Sequence, residues 1–455
     1  MGADHASLEE LVRWREGLVS GEIFVDSGIH RQETERVFPR AWSYLVHESQ
    51  LRQPGDFVTT FIGADPVLVA RQRDGSIAAM LNSCRHRGMA VCRADAGHTR
   101  AFTCPFHGWT YDEAGRLVNV PNLENGYRGQ LDTSAWGLTP VPRVESYKGL
   151  AFATFSSDAP SLVDYLGEMA WYLDCLLDRR EGGTEVMGGV HKIRMHGNWK
   201  LIAEQFAGDN YHAGITHASA ASAMAPVAAD PSPVSADPVP AGRAMRFTTA
   251  MARPGRQFSH RQGHGVAGFF TSDKALTGGL RQMARDQAVV ADYYDATDAE
   301  VANRLGSERA KGPSGTAGLV FPTFIYLAGV FGASTIGVAH PVGPEHFELW
   351  RWCLVDAAAP PEVKAAMVRC HAVWPLGLAD ADDGENWSAV QAALQGPMAR
   401  RQLFNYQMGL GLAGPDPVYP GTVSPEPIGE EPQRVFYRRW LEYMTSPDTW
   451  PAITG

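Results

Sequence analysis

Leu8, Leu11, Val12, Trp14 and Leu18 recur at helix-like spacing with Glu9, Glu10 and Arg15 between them, which predicts a helix over 7–22. A second helix is expected over 30–45, running into Trp42-Ser-Tyr-Leu-Val. After Gln53-Pro-Gly55 the texture changes to short β-rich runs: Phe57-Val-Thr-Thr-Phe-Ile, Pro66-Val-Leu-Val-Ala and Ala78-Ala-Met-Leu, punctuated by Gly63, Asp65 and Asp74-Gly. Asp112-Glu-Ala-Gly115 reads as a hairpin turn. Residues 41–160 are therefore expected to form an all-β domain, with 1–40 as N-terminal helices packing against a larger domain over 161–455.

Within that larger part, 162–177 reads as helical, and 184–196 alternates like a strand through Val186, Gly188, Val190, Lys192 and Arg194. A helix is expected over 198–210. From 218 to 240 an Ala/Ser/Pro-rich run with Asp-Pro-Ser-Pro and Asp-Pro-Val-Pro cannot hold regular structure and is expected to be a lid-like loop. His260 and His264 nearby read as loop histidines. Strands return between 318 and 355, the last alternating Phe347, Leu349, Arg351, Cys353 and Val355 against Glu348, Trp350, Trp352 and Leu354. A helical region runs from 361 to 408, and the tail closes with Val435-Phe-Tyr-Arg-Arg-Trp-Leu-Glu-Tyr-Met444. Gly409-Leu-Gly411-Leu-Ala-Gly414 matches a dinucleotide fingerprint in letters only, since it follows a helix and precedes Pro415-Asp-Pro417.

Composition narrows the partners. The chain has 455 residues and a formal net charge of −10 with no long basic block, which argues against nucleic acid. No signal-peptide pattern opens it, and no uninterrupted apolar run is long enough to span a membrane. Six cysteines spread over this length do not make a disulfide scaffold, so a reducing, cytoplasmic location is expected.

Candidate chemistry gathers in two places. Glu204 to His217 holds Asp209, His212 and His217 within nine positions. Asp209 and His212 share a helix face, and Gly214 allows a bend that returns His217 to it. Two histidines and a carboxylate suit non-haem iron(II) with open positions; a zinc hydrolase site or a solvated helix end would use the same residues. The β-rich domain adds Cys84-Arg-His86 and, seventeen residues on, Cys104-Pro-Phe-His107-Gly-Trp109. Each pair mixes one Cys with one His, which suits a Rieske [2Fe–2S] centre better than a zinc finger, although zinc in the same four ligands stays open.

With both motifs in this order the chain resembles the large (α) subunits of Rieske non-haem iron aromatic ring-hydroxylating dioxygenases. The likeness runs through Cys84-Arg-His-Arg-Gly88, Cys104-Pro-Phe-His-Gly-Trp-Thr-Tyr111, Asn198-Trp-Lys-Leu, Gly208-Asp-Asn-Tyr-His212, Thr216-His217, Asp382-Asp-Gly-Glu-Asn-Trp387 and Arg434-Val-Phe-Tyr-Arg-Arg-Trp440. It implies an α+β fold: an all-β Rieske domain plus a catalytic helix-grip domain, an antiparallel sheet surrounded by helices. It implies that Cys84 and Cys104 hold one iron of the cluster, and His86 and His107 the other. The mononuclear iron would take His212, His217 and Asp383, which displaces Asp209 from the ligand set. Asp209 would instead bridge ligand histidines of two metal sites across a subunit boundary. One departure stands out: Gln205 occupies a position commonly Asn in the family, and with Phe206, Thr323 and Phe324 it is expected to line the pocket.

The implied activity is that of a terminal oxygenase component placing both atoms of O2 on adjacent ring carbons as a cis-dihydrodiol. A Rieske-type monooxygenase, a hydroxylase or demethylase on a substituted aromatic, is the alternative, and a pure electron carrier would leave His212, His217 and Asp383 idle. Electrons would come from separate ferredoxin and reductase proteins, with NAD(P)H acting only indirectly. A homotrimer of α chains, α3 or α3β3 with a small β subunit, is the implied assembly, and an aromatic small molecule and O2 are the implied substrates.

Overall fold

The structure is a computed structural model, and it describes residues 7–218, 255–268, 273–281, 283–311, 315–446 and 450–451. All but the first residue of the 218–240 run expected as a lid lies outside the described residues. The chain forms two compact units, Thr34–Leu162 and Met1–Glu33 with Val163–Pro447.

In the unit Thr34–Leu162, strands Ile77–Leu81, Asp65–Arg71, Asp56–Ile62 and Ala96–His98 lie side by side in that order. Two three-stranded sheets accompany them, Arg143–Tyr147 with Leu150–Thr154 and Ser43–His47, and Leu117–Asn119 with Thr110–Asp112 and Ala101–Thr103. All pairings are antiparallel. The two-residue period of a strand sends alternate side chains of the central sheet into different cores. Val58, Ile62, Val67, Val69 and Ala79 pack with Leu45, Val46, Ala151 and Ala153. Phe57, Leu68, Ala70 and Met80 pack on the other side with Phe102, Trp109, Tyr111, Cys84 and Cys104. The second core thus seats both motif cysteines. The turn expected at 112–115 joins Thr110–Asp112 to Leu117–Asn119, with Gly115 at φ +78.

The other unit is built on an eight-stranded antiparallel sheet. Its order is Thr184–His196, His346–Asp356, Ala333–Pro341, Phe324–Val330, Thr316–Val320, Gly265–Gly268, Arg256–Ser259 and Thr422–Ser424. Helix Trp199–Gly208 crosses this sheet, and helix Glu431–Thr445 packs on that helix. Close approach is possible because the contact residues are small: a Cβ on Gly265 would collide with the Ala207 carbonyl, and one on Gly208 would strike the Pro432 ring. Helices Pro361–Val373 and Asp380–Ala393 cover the Thr184–His196 and His346–Asp356 end of the sheet, with a π-helical turn, Pro375–Ala379, between them. Among the described residues no helix is long and apolar enough to cross a membrane.

Four expectations need correction, the first being the helical region expected over 361–408, which ends at Ala393 and gives way to strand Leu403–Asn405. Only Leu8–Leu11 is α-helical within 7–22, with 3-10 turns at Trp14–Glu16 and from Gly21; Val12–Arg13 and Leu18–Ser20 are strands paired to each other, and Leu18–Ser20 also pairs with Leu403–Asn405. Gly17, at φ +66, reverses the chain between them, so a tertiary strand pairing overrides the helical spacing. The helix expected over 30–45 is Ser27–Arg36, and strand Ser43–His47 follows it. The helix expected over 162–177 breaks at Gly167, at φ +50, into Leu162–Leu166 and Met169–Leu177.

One buried polar cluster ties the helices of this unit together. Asn198 caps helix Trp199–Gly208 through its side-chain oxygen and the Lys200 N–H. Lys200 and Glu33 are both fully buried and pair at 2.5 Å. The indole N–H groups of Trp199 and Trp440 also donate to the Glu33 carboxylate, each at 2.9 Å. Burial pushes the Glu33 carboxyl up, but the Lys200 charge and the N–H donors outweigh it and hold it below the usual range. Glu33→Gln leaves the Lys200 ammonium buried without its counter-charge. The expected loss is about 3–5 kcal/mol of stability in this unit, read as a lower chemical-denaturation midpoint; an unchanged midpoint would contradict this account.

Candidate metal centres

Cys84 follows strand Ile77–Leu81 and Cys104 follows Ala101–Thr103, and the two loops share one backbone pattern. Cys84 N–H donates to Met89 O and Gly88 N–H to Cys84 O, each at 2.8 Å. In the second loop Cys104 N–H donates to Trp109 O at 2.8 Å and Gly108 N–H to Cys104 O at 3.0 Å. Gly88 and Gly108 take φ +76 and +77, a conformation that favours glycine in both loops. This symmetry buries both thiols and leaves His86 half-buried and His107 exposed. The imidazole rings meet edge-on with centroids 4.5 Å apart, and the His86 ring stacks on Trp109 at 5.0 Å. His86 Nδ1 is buried without a hydrogen-bond partner among the described residues. Burial raises the Cys104 thiol, and the neighbouring Cys84 raises it further. Two buried thiols beside an orphaned imidazole nitrogen form a donor set that suits an iron–sulfur cluster with thiolates inside and imidazoles outside.

The second group lies in the other unit. Helix Trp199–Gly208 ends at Asp209, and the short helix Ala213–Thr216 separates His212 from His217. Their rings stand 5.3 Å apart at 75°. His212 Nε2 and His217 Nε2 each lie 3.4 Å from Asp383 Oδ1, and the three potential ligand atoms all fall within 4.8 Å of one another. Asp383 is buried and its Oδ1 has no hydrogen-bond partner among the described residues. Ligand bonds of about 2.1 Å at near-right angles bring donor atoms to about 3 Å from one another, so these three residues fit a facially bound metal ion.

Each imidazole is backed by a carboxylate at its far nitrogen. Asp209 Oδ2 lies 3.2 Å from His212 Nδ1, and Asp382 Oδ2 lies 3.2 Å from His217 Nδ1. The second contact is an aligned hydrogen bond; the first is not, although Asp209 Oδ1 also accepts from the His212 backbone N–H at 3.1 Å. Burial opposes charge on His212, yet Asp209 and Asp383 more than offset it and raise the imidazole to about 10. Such carboxylate–imidazole pairs orient a ligand ring and raise its basicity. The spacing reading placed Asp209 inside a triad, whereas the structure sets it behind His212 and brings Asp383 in from 166 residues beyond His217.

Residues 382–387 close on 205–217 like a zip. Asp382, Asp383, Asn386 and Trp387 share one face of helix Asp380–Ala393. Asn386 donates to Thr216 Oγ1 at 2.9 Å, and the Trp387 indole donates to Gln205 Oε1 at 2.9 Å. That bond turns the Gln205 amide nitrogen to within 3.4 Å of His212 Nε2, so Gln205 faces the three-residue group. Thr323 and Phe324 are buried at the head of strand Phe324–Val330, on the sheet that helix Trp199–Gly208 crosses. His264 is buried away from this group, hydrogen-bonded to Tyr165 O and Phe321 N, and His260 pairs with Glu168. Sequence reasoning missed Asp382 and Trp387 as supports; the doubled aspartate and the four-residue spacing to Trp387 are the signals that carry them.

Residues 41–148 match the Rieske [2Fe-2S] domain family and residues 181–446 the ring hydroxylating alpha subunit (catalytic domain) family. The chain is 41% identical to biphenyl 2,3-dioxygenase subunit alpha of Rhodococcus jostii, covering 98% of this chain and 93% of that one. It is also 41% identical to benzene 1,2-dioxygenase subunit alpha of Pseudomonas putida, covering 98% and 95%. A naphthalene 1,2-dioxygenase variant bound to phenanthrene superposes with a TM-score of 0.85 at 30% identity, covering 97% of this chain and 95% of that one. The chain belongs to the α subunits of Rieske-type aromatic ring-hydroxylating dioxygenases. It is an oxidoreductase subunit with a Rieske [2Fe–2S] domain and a mononuclear-iron catalytic domain, and it works within a multicomponent system that supplies electrons.

His212→Ala is expected to lose the mononuclear iron while the visible absorption of the Rieske cluster persists. Iron content equal to that of the unsubstituted chain would overturn the ligand assignment.

Proposed function

We propose that this chain is the catalytic subunit that cis-dihydroxylates an aromatic ring, with His212, His217 and Asp383 holding the iron and Cys84, His86, Cys104 and His107 the cluster. The observation that carries this reading is the convergence of two imidazole nitrogens on the orphaned, buried Asp383 Oδ1. When bound, the cluster supplies single electrons, and the iron supplies the position at which O2 is activated beside the ring. The ring gains two hydroxyl groups on adjacent carbons, consuming one O2, two electrons and two protons. The electrons originate in NAD(P)H and pass through a separate reductase and ferredoxin.

The chain's own residues do the positioning. Asp382 holds the His217 ring by a hydrogen bond at Nδ1, and Asp209 sets its carboxylate beside His212 Nδ1 while accepting from the His212 backbone N–H, which leaves each Nε2 free for the metal. The Gln205 amide, held by the Trp387 indole, stands at the edge of the reaction site, and Phe206 offers an aromatic wall beside it. Asp209 is also the proposed electron link, through a hydrogen bond to a cluster histidine of a neighbouring α chain. This requires an α3 ring, in an α3 or α3β3 assembly with a small β subunit, located in the cytoplasm. The aromatic substrates in the names of the relatives support a mononuclear or linked-ring aromatic substrate.

Turnover under labelled O2 should place two labelled atoms in each product molecule; a single labelled atom would make the chain a monooxygenase. Asp209→Ala should keep both metals yet fail to reoxidise the reduced cluster in a single turnover with substrate and O2. Reoxidation at the normal rate would remove Asp209 from the electron path.

A further inference from the structure

Beside the three-residue group lies a polar cluster to which the reading above gives no task. Arg351 on strand His346–Asp356, His371 on helix Pro361–Val373 and Asp380 at the start of helix Asp380–Ala393 are all buried, none more than 2% exposed. Arg351 Nη2 donates to Asp380 Oδ1 at 2.6 Å, and its guanidinium lies 4.9 Å over the Phe206 ring. The rest of the cluster is unsatisfied. Arg351 Nε and Nη1, Asp380 Oδ2 and both ring nitrogens of His371 are buried with no hydrogen-bond partner among the described residues. The His371 ring stands 5.7 Å from that of His191, the cross-strand partner of Arg351. Buried polar atoms are nearly always paired, and five unpaired ones on these three residues mark a site with something to receive.

Two features tie the cluster to the reaction site. Phe206 directly follows Gln205, whose amide nitrogen lies 3.4 Å from His212 Nε2, and the same Phe206 ring carries the guanidinium. Asp380 precedes Asp383 by three residues, about 4.5 Å along the helix axis. The inventory then defines the guest. Burial and the Arg351 charge push His371 down to about 3, so its ring is neutral and offers one donor and one acceptor. Arg351 Nε and Nη1 add further donors, against the single free oxygen of Asp380. Donors outnumber acceptors around a cation, which suits a group rich in acceptor oxygens.

We propose that Arg351, with His371 beside it and Asp380 positioning it, determines specificity by receiving an oxygen-bearing, hydrogen-bond-accepting substituent of the aromatic substrate, of the carboxylate or nitro type. This rests on the ring-hydroxylating reading and narrows its substrate class. Phe206 then serves both the ring and the residue that reads its substituent.

The test compares anaerobic binding of nitrobenzene, benzoate and isopropylbenzene to the metal-loaded protein by equilibrium dialysis, followed by product analysis in air. These three share a flat or compact branched substituent; the first two carry acceptor oxygens, without and with charge, and the third carries none. In Arg351→Met the affinity ratio of nitrobenzene or benzoate to isopropylbenzene should fall about tenfold, while isopropylbenzene binding is retained. Which of the two falls reports whether charge is read. His371→Phe leaves the Arg351–Asp380 pair in place and should lower the same ratio by at least about threefold, which decides the matter if Arg351→Met does not fold. Ratios unchanged in both variants, or equal losses for all three compounds, would overturn the proposal. If the three rings are dihydroxylated with unchanged ratios, only the subsite falls; if none binds or is converted, the ring-hydroxylating reading falls with it.

Discussion

The catalytic unit depends on a carboxylate that is wholly out of water. Glu33 accepts from Lys200 and from the indoles of Trp199 and Trp440, which joins helix Ser27–Arg36 to helices Trp199–Gly208 and Glu431–Thr445. An ion pair this deep repays its desolvation only when its remaining lone pairs are also satisfied, and here the two indoles satisfy them. The consequence is positional. Helix Trp199–Gly208 starts at this cluster and, one residue past its end, delivers Asp209; Gln205 and Phe206 lie on its last two turns. Fixing the helix start against the sheet fixes where His212 and His217 can reach.

The two metal groups are made in opposite ways. The cysteine–histidine group is local: two loops of the same hydrogen-bond pattern, each ending in a left-handed glycine, seat their thiols in one core and turn their imidazoles outward. Electrons can then enter or leave at the imidazole side without passing through the core. The His212–His217–Asp383 group is assembled from two chain segments far apart in sequence. What brings them together is the face shared by Asp382, Asp383, Asn386 and Trp387, each of which contacts a residue between 205 and 217. Carboxylates on both sides of the imidazoles orient the rings while Asp383 meets their near nitrogens.

This contrast explains what is legible in the sequence. Strand Thr184–His196 and helix Trp199–Gly208 fall where the sequence places a strand over 184–196 and a helix over 198–210. The segment 7–22 misleads: its spacing is helical, but pairing of Leu18–Ser20 with Leu403–Asn405 decides its structure, and no local pattern reports a partner that distant. Likewise Asp209 is the natural third ligand by spacing, and only the likeness to a known family brings Asp383 forward. The supports Asp382 and Trp387 appear once the helix face is known. Arg351 reads in the sequence as one more alternating strand position; its burial beside Phe206 and Asp380 is purely a matter of the fold.

The most direct test of two separate metal groups in one chain is the ratio of iron to acid-labile sulfide after anaerobic iron loading and desalting. The account predicts about three iron atoms and two sulfides per chain, two irons in the cluster and one at His212, His217 and Asp383. A ratio of about two irons to two sulfides, with no further iron retained, would contradict it.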